Sequence, residues 1–238
     1  MKKLSFLFCL FVLLTAFTCE NEPLDNELIN QEFQNNDDIN NNDDDEIGVS
    51  TGDYWPRAIG NMWNFDDTFY GDVTYDMVST EQIDGKTYFK FDELFGQESW
   101  LSKTGDTYYV RTAVGGFPVA GYEVSTTYIT IRMLVDSVEV GDEWVDNVSY
   151  TITYLPIDGS TQEIPDLDYS ATYAFEMIGR DLTRTVEGTD YQNVLHVRLT
   201  LLASGTATLY DYYYAQDVGL IEFEGEQSSG TLLNYSLN

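Results

Sequence analysis

The stretch Asn193–Ala215, NVLHVRLTLLASGTATLYDYYYA, decides the fold. Its first half alternates, with Leu195, Val197, Leu199 and Leu201 on one side and His196, Arg198 and Thr200 on the other, which is the period of two of a half-buried strand. Ser204-Gly205 turns the chain, and Thr206–Ala215 returns as a second strand. On that returning strand Tyr210, Tyr212 and Tyr214 share one face, while Asp211 and Tyr213 take the other. Runs this short, and this rich in β-branched and aromatic residues, favour strands over helices.

Working outward, the same unit recurs. Met62–Phe69 (MWNFDDTF) opens the series, and Val73–Ile83 leads through Asp84-Gly85 into Lys86–Phe91, the pattern of a two-residue hairpin. Glu98–Ser102 and Thr107–Thr112 flank the turn Thr104-Gly105-Asp106, Ser125–Val135 reads as one long strand, and Trp144–Leu155 alternates up to Pro156. Pro156–Ser170, with two prolines and four carboxylates, reads as a loop. Thr172–Ile178 and Leu182–Val186 precede a turn at Glu187–Asp190, and Gly219–Gly225 and Thr231–Leu237 close the series. The expectation is a single all-β domain over residues 51–238, with about twelve short antiparallel strands in a curved or barrel-like sheet; a two-sheet sandwich is the alternative.

The chain has 238 residues, 41 acidic against 11 basic, a net charge of −30. Such a balance leaves no basic footprint for a phosphate backbone, so nucleic acid is excluded as a partner. Residues 1–18 read as a signal peptide: Lys2 and Lys3 precede the apolar run Leu4–Phe17, which is shorter than the about 20 residues needed to span a bilayer. Cys19 follows, where a bacterial lipoprotein is cleaved and lipidated on the new terminal thiol. Residues 19–50 then read as a disordered acidic tether, since residues 20–50 hold 11 acidic residues, eight Asn and few large apolar side chains. From Thr51 onward 30 acidic and 9 basic residues remain, with no cysteine. That removes disulfides, thiol catalysis and Cys-based zinc sites from the folded part.

Candidate sites are few. His196 is the only histidine, on the polar side of its strand, so a metal site would be built from carboxylates, a set that suits Ca²⁺ or Mg²⁺. No EF-hand spacing, no Gly-x-Ser-x-Gly elbow and no phosphate loop is present, and neither a cofactor nor a metal ligand is assigned. Glu222 and Glu224 share one strand face about 7 Å apart, a spacing compatible with acid and base roles on a glycosidic bond. Tyr210, Tyr212 and Tyr214 are the candidate ligand-contacting aromatics, because tyrosines beside an apolar cleft can stack on sugars or grip an apolar ligand.

Tyr54-Trp55-Pro56 and Gly60-Asn61-Met62-Trp63, together with Asp211–Leu220 (DYYYAQDVGL), carry a resemblance. The chain resembles a broad group of Bacteroidota lipoproteins whose mature domains open with Tyr-x-Pro and Gly-Asn-x-Trp and end on an aromatic strand followed by Val-Gly-Leu. The resemblance implies an exported β-rich lipoprotein of the outer membrane, periplasmic or surface-facing, and brings no catalytic residue. The expected protein is noncatalytic, held by a lipid anchor in a membrane, with a domain that binds or scaffolds a glycan, a small apolar ligand or an envelope protein. A carboxylate-based glycan hydrolase is the alternative. Metabolic labelling with a fatty acid tests the anchor: wild type takes up label and Cys19→Ala does not, whereas equal label in both overturns the assignment.

Overall fold

A computed structural model describes residues 48–113, 115, 117–119, 121–157, 164–226 and 228–238. The signal peptide, Cys19 and the spacer up to residue 47 lie outside the described residues. The described chain is all-β. Its strands are β1 (Met62–Asp67), β2 (Gly71–Ile83), β3 (Lys86–Phe91), β4 (Ser99–Thr104), β5 (Thr107–Thr112), β6 (Phe117–Val119) and β7 (Tyr122–Thr126). They continue as β8 (Ile129–Val135), β9 (Glu143–Pro156), β10 (Leu167–Val186), β11 (Thr189–Ala203), β12 (Thr206–Ala215), β13 (Gly219–Gly225) and β14 (Ser229–Ser236).

All fourteen belong to one antiparallel sheet, in the order β6-β7-β9-β10-β11-β12-β13-β14-β1-β2-β3-β4-β5-β8. A two-sheet sandwich is therefore not formed. The first strand pairs with the last, Met62 opposite Ser236, so the chain ends are knit into the middle of the sheet. The ladder does not close into a full barrel. Instead β8 comes up to β9 through side chains: the Arg132 backbone N–H donates to Asp146 at 2.6 Å, Arg132 Nε donates to the same carboxylate at 2.8 Å, and Trp144 Nε1 donates to the Arg132 carbonyl at 2.8 Å.

Three hairpin turns have the chemistry their sequences promise. Asp84-Gly85, Glu187-Gly188 and Ser204-Gly205 all have positive φ at both central residues, matching the right-handed twist of the strands they join. Elsewhere the chain departs from expectation. Ser125–Val135 is broken at Thr127-Tyr128 because β7 pairs with the far half of β9 while β8 pairs with β5. The expected loop Pro156–Ser170 surrenders Leu167–Ser170 to β10, which pairs residue for residue with β9. The two strands expected on either side of Gly179 are one strand with register shifts between Met177 and Arg184. β6 was not expected at all.

One continuous core fills the inside of the curve. Trp63, Phe65, Met77, Phe91, Leu101, Tyr108, Leu134, Phe175, Met177, Leu195, Tyr214 and Leu220, drawn from ten strands, are its most buried large side chains. Burial of each such side chain contributes roughly 1.5–3 kcal/mol. The stretches that carried the resemblance meet in this core. The Trp55 ring lies 5.5 Å from Tyr214, Trp63 Nε1 donates to the Val218 carbonyl at 2.7 Å, and the Asp217 N–H donates to the Asp53 carbonyl at 2.6 Å. Gly219, at φ +110°, sits where an added Cβ would fall 3.1 Å from the Trp63 indole nitrogen.

The entry of the chain is sewn to the same end of the sheet. Lys103 Nζ faces Ser50 Oγ, the Gly52 carbonyl and the Tyr108 hydroxyl, each at 2.7 Å, and Asp136 at 2.9 Å. Asp136, fully buried, also accepts from Ser50 Oγ and the Thr51 N–H, and Arg180 donates to its backbone carbonyl. Replacing Lys103 with Met leaves that carboxylate buried without its cation. The expected loss of stability is about 3–5 kcal/mol in urea denaturation; a loss below about 1 kcal/mol, the size of an ordinary substitution, shows that the pair does not hold the entry segment.

Candidate ligand-binding face

Residues directly opposite in an antiparallel ladder share a face. Tyr214, Tyr212 and Tyr210 of β12 stand opposite Leu195, Val197 and Leu199 of β11. Leu199 and Leu201 stand in turn opposite Phe175 and Tyr173 of β10, and Tyr173 and Tyr169 opposite Asp146 and Tyr150 of β9. Tyr154, four residues on from Tyr150, faces Val124 of β7, and Tyr122 lies two residues from Val124. The inner face thus carries a continuous run of eight tyrosines, from Tyr214 in the packed core to Tyr122 near the β6 edge.

Burial falls over the middle of that run and returns at its far end, where Tyr122 is buried again. Tyr214 is fully buried and Tyr212 nearly so, while Tyr210, Tyr173, Tyr150, Tyr169 and Tyr154 are only half-buried. The structure therefore places two of the three sequence-selected tyrosines inside the core, and only Tyr210 at its edge. The rings keep a regular interval: 6.3 Å between Tyr212 and Tyr214, 6.2 Å between Tyr210 and Tyr212, and 6.1 Å between the stacked pair Tyr150 and Tyr169. Gly225 lies opposite Tyr210 in the ladder, and a Cβ there would fall 2.4 Å from the Tyr210 ring, so only glycine leaves that ring its place.

Around the half-buried tyrosines the inner face is uncharged, built from Val148, Ile152, Leu167, Ala171 and Leu201, except for Asp146, which Arg132 neutralises. Burial raises the phenols of Tyr150, Tyr154 and Tyr210, and pushes Tyr173 up to about 12. These hydroxyls are hydrogen-bond donors at any physiological pH. Tyr150, Tyr154, Tyr169 and Tyr173 were not singled out from the sequence. Their signal was the four-residue spacing within each pair, which keeps both members on one strand face; reading Leu167–Ser170 as loop concealed it.

The sequence-selected carboxylates lie on the opposite, outer face. Glu222 and Glu224 both bind Arg184, Glu222 through Nε and Glu224 at 2.9 Å, and they approach closely enough to hydrogen-bond each other. Burial, then that contact, raises the Glu224 carboxyl. The Arg184 guanidinium also stacks 3.5 Å from the centre of the Tyr213 ring. His196 lies against the other side of this cluster, its Nε2 2.7 Å from Asp211 and its ring 4.4 Å from Tyr213, and Arg198 shares the same Asp211. Among the described residues no group of three or more His, Cys, Asp or Glu is placed to hold a metal ion.

No protein-family model and no curated protein matches this sequence. Two solved structures are similar in backbone course. One, from Bacteroides fragilis and assigned as an exported protein with a YmcC-like fold, is 10% identical with a TM-score of 0.44, covering 78% of this chain and 100% of that one. The other, from Parabacteroides distasonis and assigned as a lipoprotein, is 12% identical with a TM-score of 0.40, covering 78% of this chain and 99% of that one. At these values neither transfers a site or a function.

The raised phenols set an alkaline limit. Their protonated form is the one the fold favours, so this contribution is whole below the ordinary tyrosine value of about 10. It is lost as pH rises through the folded value, about 12 for Tyr173. Near-ultraviolet absorbance should show the buried phenolates appearing only with unfolding across that window. Reversible ionisation of every tyrosine near pH 10 with the fold intact overturns the burial assignment.

Proposed function

We propose that the protein is a noncatalytic lipoprotein of the outer membrane whose domain captures an uncharged glycan on the tyrosine face. The observation that carries this reading is the run of half-buried tyrosines continuing outward from the packed core on an uncharged surface. Filling a core needs aromatic rings. It does not need them to continue past the packed part as half-buried rings, and stacking plus hydroxyl donors is the chemistry that binds sugar rings. The domain's strong negative charge works against polyanionic ligands and anionic lipid. The signal peptide and Cys19 support export and anchoring, and the resemblance to Bacteroidota lipoproteins supports the outer membrane.

The carboxylate pair favours structure over hydrolysis. Glycoside hydrolysis needs two carboxyls about 5–9.5 Å apart with the scissile bond between them. Here Glu222 and Glu224 are in mutual hydrogen-bond reach and a guanidinium fills the space they share.

Calorimetric titration with a panel of neutral and anionic oligosaccharides tests the proposal. Binding of a neutral oligosaccharide is expected, weakened about tenfold, or about 1.4 kcal/mol, by Tyr150→Ala and by Tyr169→Ala. Absence of binding to neutral oligosaccharides, or binding unaltered in both folded variants, overturns it.

A further inference from the structure

A second feature lies on the outer face of β2 to β5, away from the tyrosine run. A groove of about 330 Å³ is lined by Glu81, Gln82, Asp84, Trp100, Arg111 and Tyr128. Trp100, nearly buried, forms its floor and donates through Nε1 to Glu81 at 2.9 Å. Tyr128 stands edge-on to Trp100 with ring centres 5.3 Å apart, and 45% of it is exposed. Its hydroxyl is held by Glu98 at 3.1 Å, and Glu98 is bound in turn by Lys90, so the ring is fixed before anything binds.

Arg111 is the unusual member. Arg57, Arg132, Arg184 and Arg198 are each paired with a carboxylate, and Arg180 is spent on backbone carbonyls. The Arg111 guanidinium lies 4.6 Å over the Tyr128 ring with no ion pair or hydrogen bond among the described residues. In a domain with 30 acidic residues, an arginine without a carboxylate partner stands out, the more so with Glu81 and Asp84 lining the same groove. Among the described residues, Arg111 lines the groove with Glu81 and Asp84 but makes no ion pair with either.

We propose that this groove is a binding subsite for a single neutral sugar unit. A pyranose ring presents an apolar C–H face to an aromatic ring, here the part of Tyr128 that Arg111 and Trp100 leave exposed. Its vicinal hydroxyls both accept and donate, so one can accept from Arg111 while its neighbour donates to Glu81 or Asp84, and Gln82 can serve either role. Two carboxylates beside one guanidinium leave the groove net negative, which selects against a uronic acid or a phosphate. The assignment does not rest on the tyrosine face: the two lie on opposite faces of the sheet and share no residue.

Calorimetry on the full-length chain in detergent, with glucose, galactose, mannose, N-acetylglucosamine and glucuronic acid as probes, tests it. At least one neutral sugar is expected to bind. Arg111→Gln and Tyr128→Ala should each weaken it tenfold or more, Tyr128→Phe should retain it, and Tyr150→Ala with Tyr169→Ala should leave it unchanged. Unaltered circular dichroism and melting temperature show that the variants are folded. No binding by any neutral probe, unchanged binding in Arg111→Gln, or glucuronic acid binding as well as its neutral counterpart each overturns the proposal. Loss in the Tyr150 and Tyr169 variants with none at Arg111 assigns sugar binding to the tyrosine face alone.

Discussion

The hydrogen bond from the Trp63 indole to the Val218 carbonyl ties the start of the sheet to the turn between β12 and β13. The two residues are 155 positions apart in sequence, so this contact closes almost the whole domain on itself. Its geometry needs the Val218 carbonyl aimed inward, and that in turn needs the backbone reversal that Gly219 supplies at a φ of +110°. With Trp63 fixed, β1 lies between β14 and β2, and the sheet has no free edge at either chain terminus. The aromatic core then assembles around a first strand whose position is already determined.

Strand chemistry was legible wherever a turn announced itself. Asp84-Gly85 and Ser204-Gly205 placed the strand ends beside them to within a residue or two, although β11 begins at Thr189, four residues before the expected Asn193; left-handed turn residues and a period of two are local properties. What was not legible depends on partners distant in sequence. Pro165 and the carboxylates beside Leu167 look like loop, yet β10 extends through Leu167–Ser170 because β9 offers it a ladder. Thr127-Tyr128 interrupts an apparently continuous strand because its two halves belong to different neighbours. The resemblance picked out Trp55, Trp63 and Val218-Gly219-Leu220 as fold markers; that they touch one another could not be read from their spacing. The tyrosines of one strand could be assigned to a common face, but how far each ring is buried depends on whether the core continues beneath it.

Alternation also separates two chemistries within a single layer. On β12, Tyr210, Tyr212 and Tyr214 look inward, and Asp211 and Tyr213 look outward to His196, Arg198 and Arg184. The outward side consists of ion pairs and stacked rings that saturate one another. The inward side is uncharged, and it thins from solid core to half-exposed tyrosines along the strands. Arg180, beside Asp136, and Tyr169 both lie on β10, eleven residues and roughly 36 Å apart at about 3.3 Å per residue. The end of the sheet that receives the incoming chain is thus the end remote from the open tyrosines.

The clamp at Lys103 has a mechanical meaning as well. Tension applied through residues before Gly48 meets Ser50, Thr51 and Gly52 first, where several short hydrogen bonds to Asp136 and Lys103 must yield together. Behind them Tyr54 and Trp55 are embedded in the core, and only at Met62 does the load reach the β1 ladder. A pull from the N-terminal side is therefore spread over a buried cluster in parallel, and the sheet is spared the bond-by-bond unzipping that an unclamped first strand would suffer.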